Sequence, residues 1–228
     1  MNNRIFDISD FTRVRAGGAV RVEIIHAESY KVSVMADDFD YIRVEKQGDT
    51  LILGRRGIDW LLPFHSQPEF RVEMPDLQEI RLSGATHGQA TGFQSKQSLS
   101  LDISGASHFE VNNYIAADLN LKLSGASHLQ GNIQCGSKAE LDISGASHLE
   151  LTGAAIDMVL DVTGASHTDL DRFQVQNASV RLSGASHGTV NINGKLDTHL
   201  NGASNLHWLG SPVMGEMEIT GASSIQHR

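Results

Sequence analysis

The stretch Ser83-Gly84-Ala85-Thr86-His87 decides the fold, because it returns seven times with small changes. With the glycine as the mark, the copies sit at Gly84, Gly105, Gly125, Gly145, Gly164, Gly184, Gly202 and Gly221, at spacings of 21, 20, 20, 19, 20, 18 and 19 residues. A period of this size is one supersecondary unit of a repeat architecture. The last two copies, Asn201-Gly202-Ala203-Ser204-Asn205 and Thr220-Gly221-Ala222-Ser223-Ser224, decay as terminal repeats do.

Two residues before each mark the chain reads Leu82, Ile103, Leu123, Ile143, Val162, Leu182, Leu200 and Ile219. The residue between this column and the largely apolar one two positions earlier is polar: Arg81, Asp102, Lys122, Asp142, Asp161, Arg181, His199, Glu218. Apolar-polar-apolar alternation predicts a half-buried strand. It resumes after the mark, as in Phe109-Glu110-Val111 and Leu149-Glu150-Leu151. Each unit is therefore strand, small-residue corner, strand and loop, and the period of two excludes a helix. Strands recurring at this interval stack as coils, each pairing in parallel with its equivalent about 4.8 Å away. The reading is an all-β, single-stranded, right-handed β-helix with coils of about twenty residues. A propeller blade needs about forty residues and four strands, which this period does not supply. The charged column agrees with the register, since Arg81, Asp102, Lys122 and Asp142 alternate in sign from rung to rung and only Asp142 beside Asp161 breaks the pattern.

Outside the array, residues 1–75 carry strand signals without the strict mark: Val20, Val22 and Ile24 alternate, as do Val32 with Val34 and Leu51 with Leu53. They predict wider, irregular first coils of the same single domain, whose regular part is 76–228. Gly18-Ala19 is a weak echo of the mark, and Gln47-Gly48-Asp49 reads as a turn. The interruption from Gly54 to Pro68 predicts a loop in which Trp60, Leu61 and Leu62 cover one end of the solenoid.

Composition narrows the classes. In 228 residues, 40% are hydrophobic but only 6% aromatic, which suits one domain with an aliphatic core. A net charge of −9 without a basic cluster argues against nucleic acid or an anionic membrane as partner. No apolar run reaches the length of about eighteen residues that a membrane helix needs. The N-terminus lacks the apolar core of a signal peptide, which leaves a cytoplasmic chain or one whose leader was removed. The single Cys135 excludes an internal disulfide.

The run Val72-Glu73-Met74-Pro75-Asp76-Leu77-Gln78-Glu79-Ile80-Arg81-Leu82-Ser83-Gly84-Ala85, the iterated marks and the closing Trp208-Leu209-Gly210-Ser211-Pro212 resemble the bacterial family of auto-transporter adhesins with a head GIN domain. The resemblance covers nearly the whole chain. It implies an exported β-helix of the cell envelope, an adhesin label that rests on architecture, and no catalytic residues. This chain departs from the family in lacking a visible export signal and in placing histidine after nearly every mark.

That histidine column is His87, His108, His128, His148, His167 and His187. Unbroken alternation through the corner turns Ser107 and Phe109 inward and Ala106, His108 and Glu110 outward, so the imidazoles form an exposed stripe. Gln89, Glu110, Gln130, Glu150, Asp169 and Thr189 run beside them as acceptors for imidazole N–H groups. One reading is a ladder of identical side chains on identical rungs. The other is capture of zinc, nickel or copper, with Glu110 or Glu150 as further ligands. The serine column, Ser107, Ser127, Ser147, Ser166, Ser186, Ser204 and Ser223 with Thr86 at its head, faces the other way from the histidines and is read as buried hydroxyls bonding at the corner.

The expected role is a non-catalytic, adhesin-like binding or scaffold module with no resident cofactor. Its partner is a surface glycan or protein, and association of copies through the solenoid ends is a further expectation. A polysaccharide lyase or hydrolase is the enzymatic alternative. Its acids would be Asp142 and Asp161, flanked by Lys122 and Arg181.

Overall fold

The computed structural model describes residues 2–56 and 66–228, which form strands and no helix. The N-terminal strands are β1 (Asn2–Phe6), β2 (Arg13–Gly17), β3 (Arg21–His26), β4 (Lys31–Ala36), β5 (Ile42–Gln47), β6 (Thr50–Arg55) and β7 (Glu69–Met74). The array begins with β8 (Glu79–Ser83), β9 (His87–Thr91), β10 (Leu99–Ile103), β11 (His108–Ala116), β12 (Leu119–Leu123), β13 (His128–Cys135) and β14 (Lys138–Ile143). It continues through β15 (His148–Val162), β16 (His167–Leu182), β17 (His187–Ile192), β18 (Lys195–Leu200), β19 (Asn205–Gly210), β20 (Val213–Ile219) and β21 (Ser224–His227).

These strands wind into a parallel β-solenoid of about 7 turns with coils of about 20 residues. In β12, Leu119, Leu121 and Leu123 point inward while Asn120 and Lys122 face water, which is the alternation the sequence carries. The mark then bends the chain. All eight of its glycines sit at φ between 71° and 83°, a region that side chains disfavour. From Ala106 to Ala222, the alanine N–H at each mark donates to the glycine carbonyl one coil earlier at 2.7–2.8 Å. The mark hydroxyls turn inward and close the corner by donating to the carbonyl three residues back, from Thr86 to Ser83 at 2.8 Å through Ser204 to Asn201 at 2.8 Å. These bonds tie each corner to its own coil and to the coil before it, so the corners stack in register.

Each coil contributes to three ladders. Strands before the mark pair in register through β8, β10, β12, β14 and the ends of β15 and β16 to β18 and β20. Strands after the mark pair from β9 through β11, β13, β15, β16, β17 and β19 to β21. A third ladder joins Tyr114-Ile115-Ala116 to Ile133-Gln134-Cys135 and runs on to Leu209-Gly210. Leu101, Leu121, Leu141, Leu160 and Val180 form one of the buried columns between them.

Beyond Val180 the column continues to Thr198, whose hydroxyl is buried and has no hydrogen-bond partner among the described residues. Desolvating a hydroxyl without compensation costs more than the group returns. Thr198→Val keeps the branched shape and is expected to stabilise the fold by about 1 kcal/mol, raising Tm by roughly 2–4 °C in a calorimetric scan. A lower Tm for the variant would show that the hydroxyl contributes to stability.

The polar column keeps the register expected for it, with Arg81 beside Asp102, Asp102 beside Lys122 and Lys122 beside Asp142. Contacts between these charges are sparser than their order suggests. Arg81 turns along its own strand to Glu79 at 2.6 Å, and His199 meets Glu218 at 3.3 Å.

The N-terminal part differs from the expected wide coils. Residues 13–26 do form a coil around the echo of the mark, with Gly18 and Ala19 at φ 84° and 58°, and it stacks directly on β8 and β9. However, β6 and β7 stack on its other side, so chain residues 50–55 and 69–74 lie outside residues 13–26. Beyond them β5, β4 and β1 run antiparallel and close this end. The Gln47-Gly48-Asp49 turn makes the reversal, with Gly48 at φ 62° joining β5 to β6. Trp60, Leu61 and Leu62, expected as an end cover, lie outside the described residues.

The opposite end has no such closure among the described residues. Met214 and Ile219 extend the buried columns of Leu196 and Leu200, yet every residue of β20 is exposed, Val213 to 72%.

Candidate functional site

The histidine column lies on the ladder after the mark. His87, His108, His128, His148, His167 and His187 are register partners in one unbroken row. Identical corners deliver each imidazole to the outer face in the same orientation, so the rings stack. Ring centroids are 4.7, 4.8 and 5.1 Å apart from His108 to His167, with interplanar angles of 3° to 5°. The row opens at both ends, to 6.1 Å and 30° between His87 and His108 and to 6.3 Å and 32° between His167 and His187. Arg21 occupies the rung before His87 and pairs with Glu69 at 3.1 Å, while Asn205 follows His187.

Of the flanking acceptors, Glu110, Glu150 and Asp169 stand where the alternation places them but serve other donors. Glu110 accepts from Asn112 at 3.0 Å, Glu150 from Arg172 at 2.7 Å, and Asp169 from the Asp171 backbone N–H at 3.2 Å. Thr189 is buried. Before this run, Glu23 binds Gln89 at 3.0 Å and Arg71 at 2.8 Å. Arg21, Glu23, Glu69 and Arg71 belong to the same face, which the residue pattern did not reveal. The outward position of Glu23 on β3 is legible, whereas its place beside Gln89 depends on which coil stacks on which.

Partial burial pushes the pKa of both His108 and His148 below the ordinary imidazole value. Repulsion from His128 and His87 acts in the same direction at His108, and from His128 and His167 at His148. Glu110 opposes the shift at His108, and Glu150 and Asp169 oppose it at His148. A depressed folded pKa means that the unfolded chain binds these protons first. Stability is thus unaffected well above pH 6.5 and declines as pH falls from there towards the folded values. Carboxylates held low by their partners, such as Asp197 beside Lys195, act in a more acidic window below about pH 4. Tm is expected to fall between pH 7.5 and pH 5, with a flatter profile in His108→Gln/His148→Gln. Parallel profiles for the two proteins would assign the pH dependence to other groups.

A concave area of about 580 Å³ lies where Arg21, Glu69 and Arg71 meet His87 and His108. Another of about 380 Å³ lies among His167, His187, His207 and His227 at the far end of the face. On the ladder before the mark, Asp142 and Asp161 stand side by side, with Lys122 and Arg181 on the rungs to either side. Both acids border a shallow recess of about 480 Å³. Among the described residues no ion pair ties them to Lys122 or Arg181, and no three His, Cys, Asp or Glu side chains converge on a common point. The serine hydroxyls are buried on the opposite side of the strand from the imidazoles, which separates the elements of a nucleophile–base pair. Burial pushes the Cys135 thiol up to about 12, leaving it inert at neutral pH. No helix among the described residues is long and apolar enough to cross a membrane.

The chain is thus a parallel β-solenoid with a packed aliphatic core and one long face of repeated side chains. The chain belongs to the family described as "Putative auto-transporter adhesin, head GIN domain", whose model matches residues 10–212. Solved structures share the fold. A "putative adhesin" from Parabacteroides distasonis ATCC 8503 aligns with a TM-score of 0.91 at 14% identity, over 100% of this chain and 96% of that one. Another from Parabacteroides merdae ATCC 43184 aligns at 0.90 and 15% identity, over 100% and 95% of the two chains. A "putative lipid binding protein" from Parabacteroides distasonis ATCC 8503 aligns at 0.87 and 19% identity, over 100% and 96%. No curated protein matches the chain.

Proposed function

We propose that the chain is a non-catalytic, adhesin-like binding module of the cell envelope and that the histidine face is its binding surface. The observation that carries this reading is the row of six imidazoles in continuous register, bordered at each end by a charged or histidine-lined recess. A rigid row of this kind suits an extended ligand, a glycan or a protein segment, that repeats its contacts rung by rung. Family membership supports the adhesin-like role. The core supports an external ligand, because its aliphatic columns are buried side chain against side chain along the coils.

The test is a glycan array and a solid-phase protein screen on the full chain, together with fractionation of the native cell. Binding that is lost in Arg71→Ala/His108→Ala, with envelope location, supports the proposal. Cleavage of an acidic polysaccharide that disappears in Asp161→Asn would replace it with the enzymatic alternative.

A further inference from the structure

The pitch of the imidazole row selects what can lie along it. From His108 to His167 the rings are 4.7, 4.8 and 5.1 Å apart and within 5° of parallel, so their edges leave the face side by side and do not converge on one point. Such an array suits a ligand that repeats at the same interval. An extended peptide returns the same face only every two residues, about 6.6 Å, and is out of phase within two rungs. A straight chain of 1,4-linked hexopyranoses with both bonds equatorial advances by close to one rung per sugar. Successive sugars flip about the chain axis, yet both edges of each sugar carry hydroxyls, so every rung meets one.

The ring edges match hydroxyls in kind. A neutral imidazole offers one N–H donor and one acceptor nitrogen, and a hydroxyl both donates and accepts. Partial burial and repulsion between neighbouring rings hold His108 and His148 below the ordinary imidazole pKa, which favours the neutral form at pH 7. Among the described residues, none of the six rings hydrogen-bonds to a protein group; the ring nitrogen that does belongs to His199, on another ladder. Charge along the face disfavours an acidic chain. Arg21, Arg71 and Arg172 are already paired with Glu69, Glu23 and Glu150. Glu110 and Asp169, whose partners are the Asn112 amide and the Asp171 backbone N–H, keep their charge uncompensated beside the row. A polyanion laid there meets both carboxylates on a chain of net charge −9.

We propose that the His108–His167 section of the row binds a straight, uncharged, 1,4-linked hexopyranose chain, one sugar per rung, through hydrogen bonds between ring edges and sugar hydroxyls. This names the ligand class of the binding face proposed above and rests on that reading. Towards His87 the row runs into the recess of about 580 Å³, where Arg21 and Arg71 spend one and two of their N–H donors on glutamates and keep the others for a sugar at the end of the chain.

The experiment is isothermal titration of the full chain with cello-oligosaccharides of two to six sugars. Maltohexaose, the same sugar on a curled linkage, and cellohexaose oxidised at C6, the same straight chain made polyanionic, are the comparisons. Affinity should rise by about tenfold or more from two sugars to four, as the four close rungs fill, and change less beyond. His128→Gln/His148→Gln should weaken cellohexaose by about tenfold or more, while Lys122→Ala, on the ladder before the mark, leaves it unchanged. Thermal melts establish that each variant is folded. No binding of cellohexaose, equal binding of maltohexaose, or tighter binding of the oxidised chain would each overturn the proposal. If the oxidised chain or a peptide binds instead and is lost in the double histidine variant, the face remains the binding surface and only the ligand class falls. Cellohexaose binding that persists in the double variant would overturn both.

Discussion

Gly145→Val is expected to lower Tm by roughly 10 °C or more, the equivalent of about 4 kcal/mol at this chain length. Two costs add at this position. The glycine sits at φ 82°, where a β-branched residue is strained by about 1–3 kcal/mol. A Cβ built there would also stand 2.3 Å from the Gly125 carbonyl oxygen of the preceding coil. That oxygen accepts the Ala146 N–H at 2.8 Å, so relieving the clash opens a rung of the ladder. Gly48 separates the two costs: it has φ 62° with nothing within 4 Å of a built Cβ, so Gly48→Val should show the strain alone. Equal melting temperatures for Gly145→Val and the unmodified chain would show that the mark is not a constrained corner.

Leu141→Ala is expected to cost about 3 kcal/mol and to lower Tm by roughly 6–12 °C. Leu141 is 2% exposed and packed in register between Leu121 and Leu160, with the same fixed backbone above and below. Neighbouring coils are pinned by their ladders and cannot collapse into the space, so the cavity term adds to the lost transfer energy. Lys122→Ala, on the exposed side of the adjacent rung, should stay within about 0.5 kcal/mol. The measurement is urea unfolding of both variants: the midpoint moves for Leu141→Ala while the slope is unchanged. Indistinguishable midpoints would mean that this column is not the tightly packed core described.

Much of the solenoid was legible residue by residue. The column from Leu82 to Leu200 announced the inward face, and the glycine recurrence announced a coil repeat, because one backbone path repeated at a fixed interval imposes one side-chain requirement per rung. The outward histidines and inward serines followed from alternation across the corner, which holds in the structure: Ser107 and Phe109 are buried, and His108 and Glu110 are not fully buried. The N-terminal strands resisted the same reasoning. Val32 and Val34 show that one face of β4 is buried, but both edges of a strand carry the same backbone groups. Nothing local in β4 states that it pairs antiparallel with β7 and β1.

At the histidine face the division is of the same kind. A His at each mark suffices to place six imidazoles in one outward row, since exposure depends on a period of two within each strand. Whether neighbouring rings lie 4.7 Å apart and parallel or 6.3 Å apart and tilted depends on the rungs above and below them. Likewise Glu110 and Glu150 are equivalent by position, yet one meets the neutral Asn112 and the other the cationic Arg172. The chain's own periodicity thus settles the coil, its corner and the composition of each face. Stacking settles the order of the first coils, the pitch of the imidazole row and the charge beside it, because these depend on side chains from different coils that meet only when the ladders close.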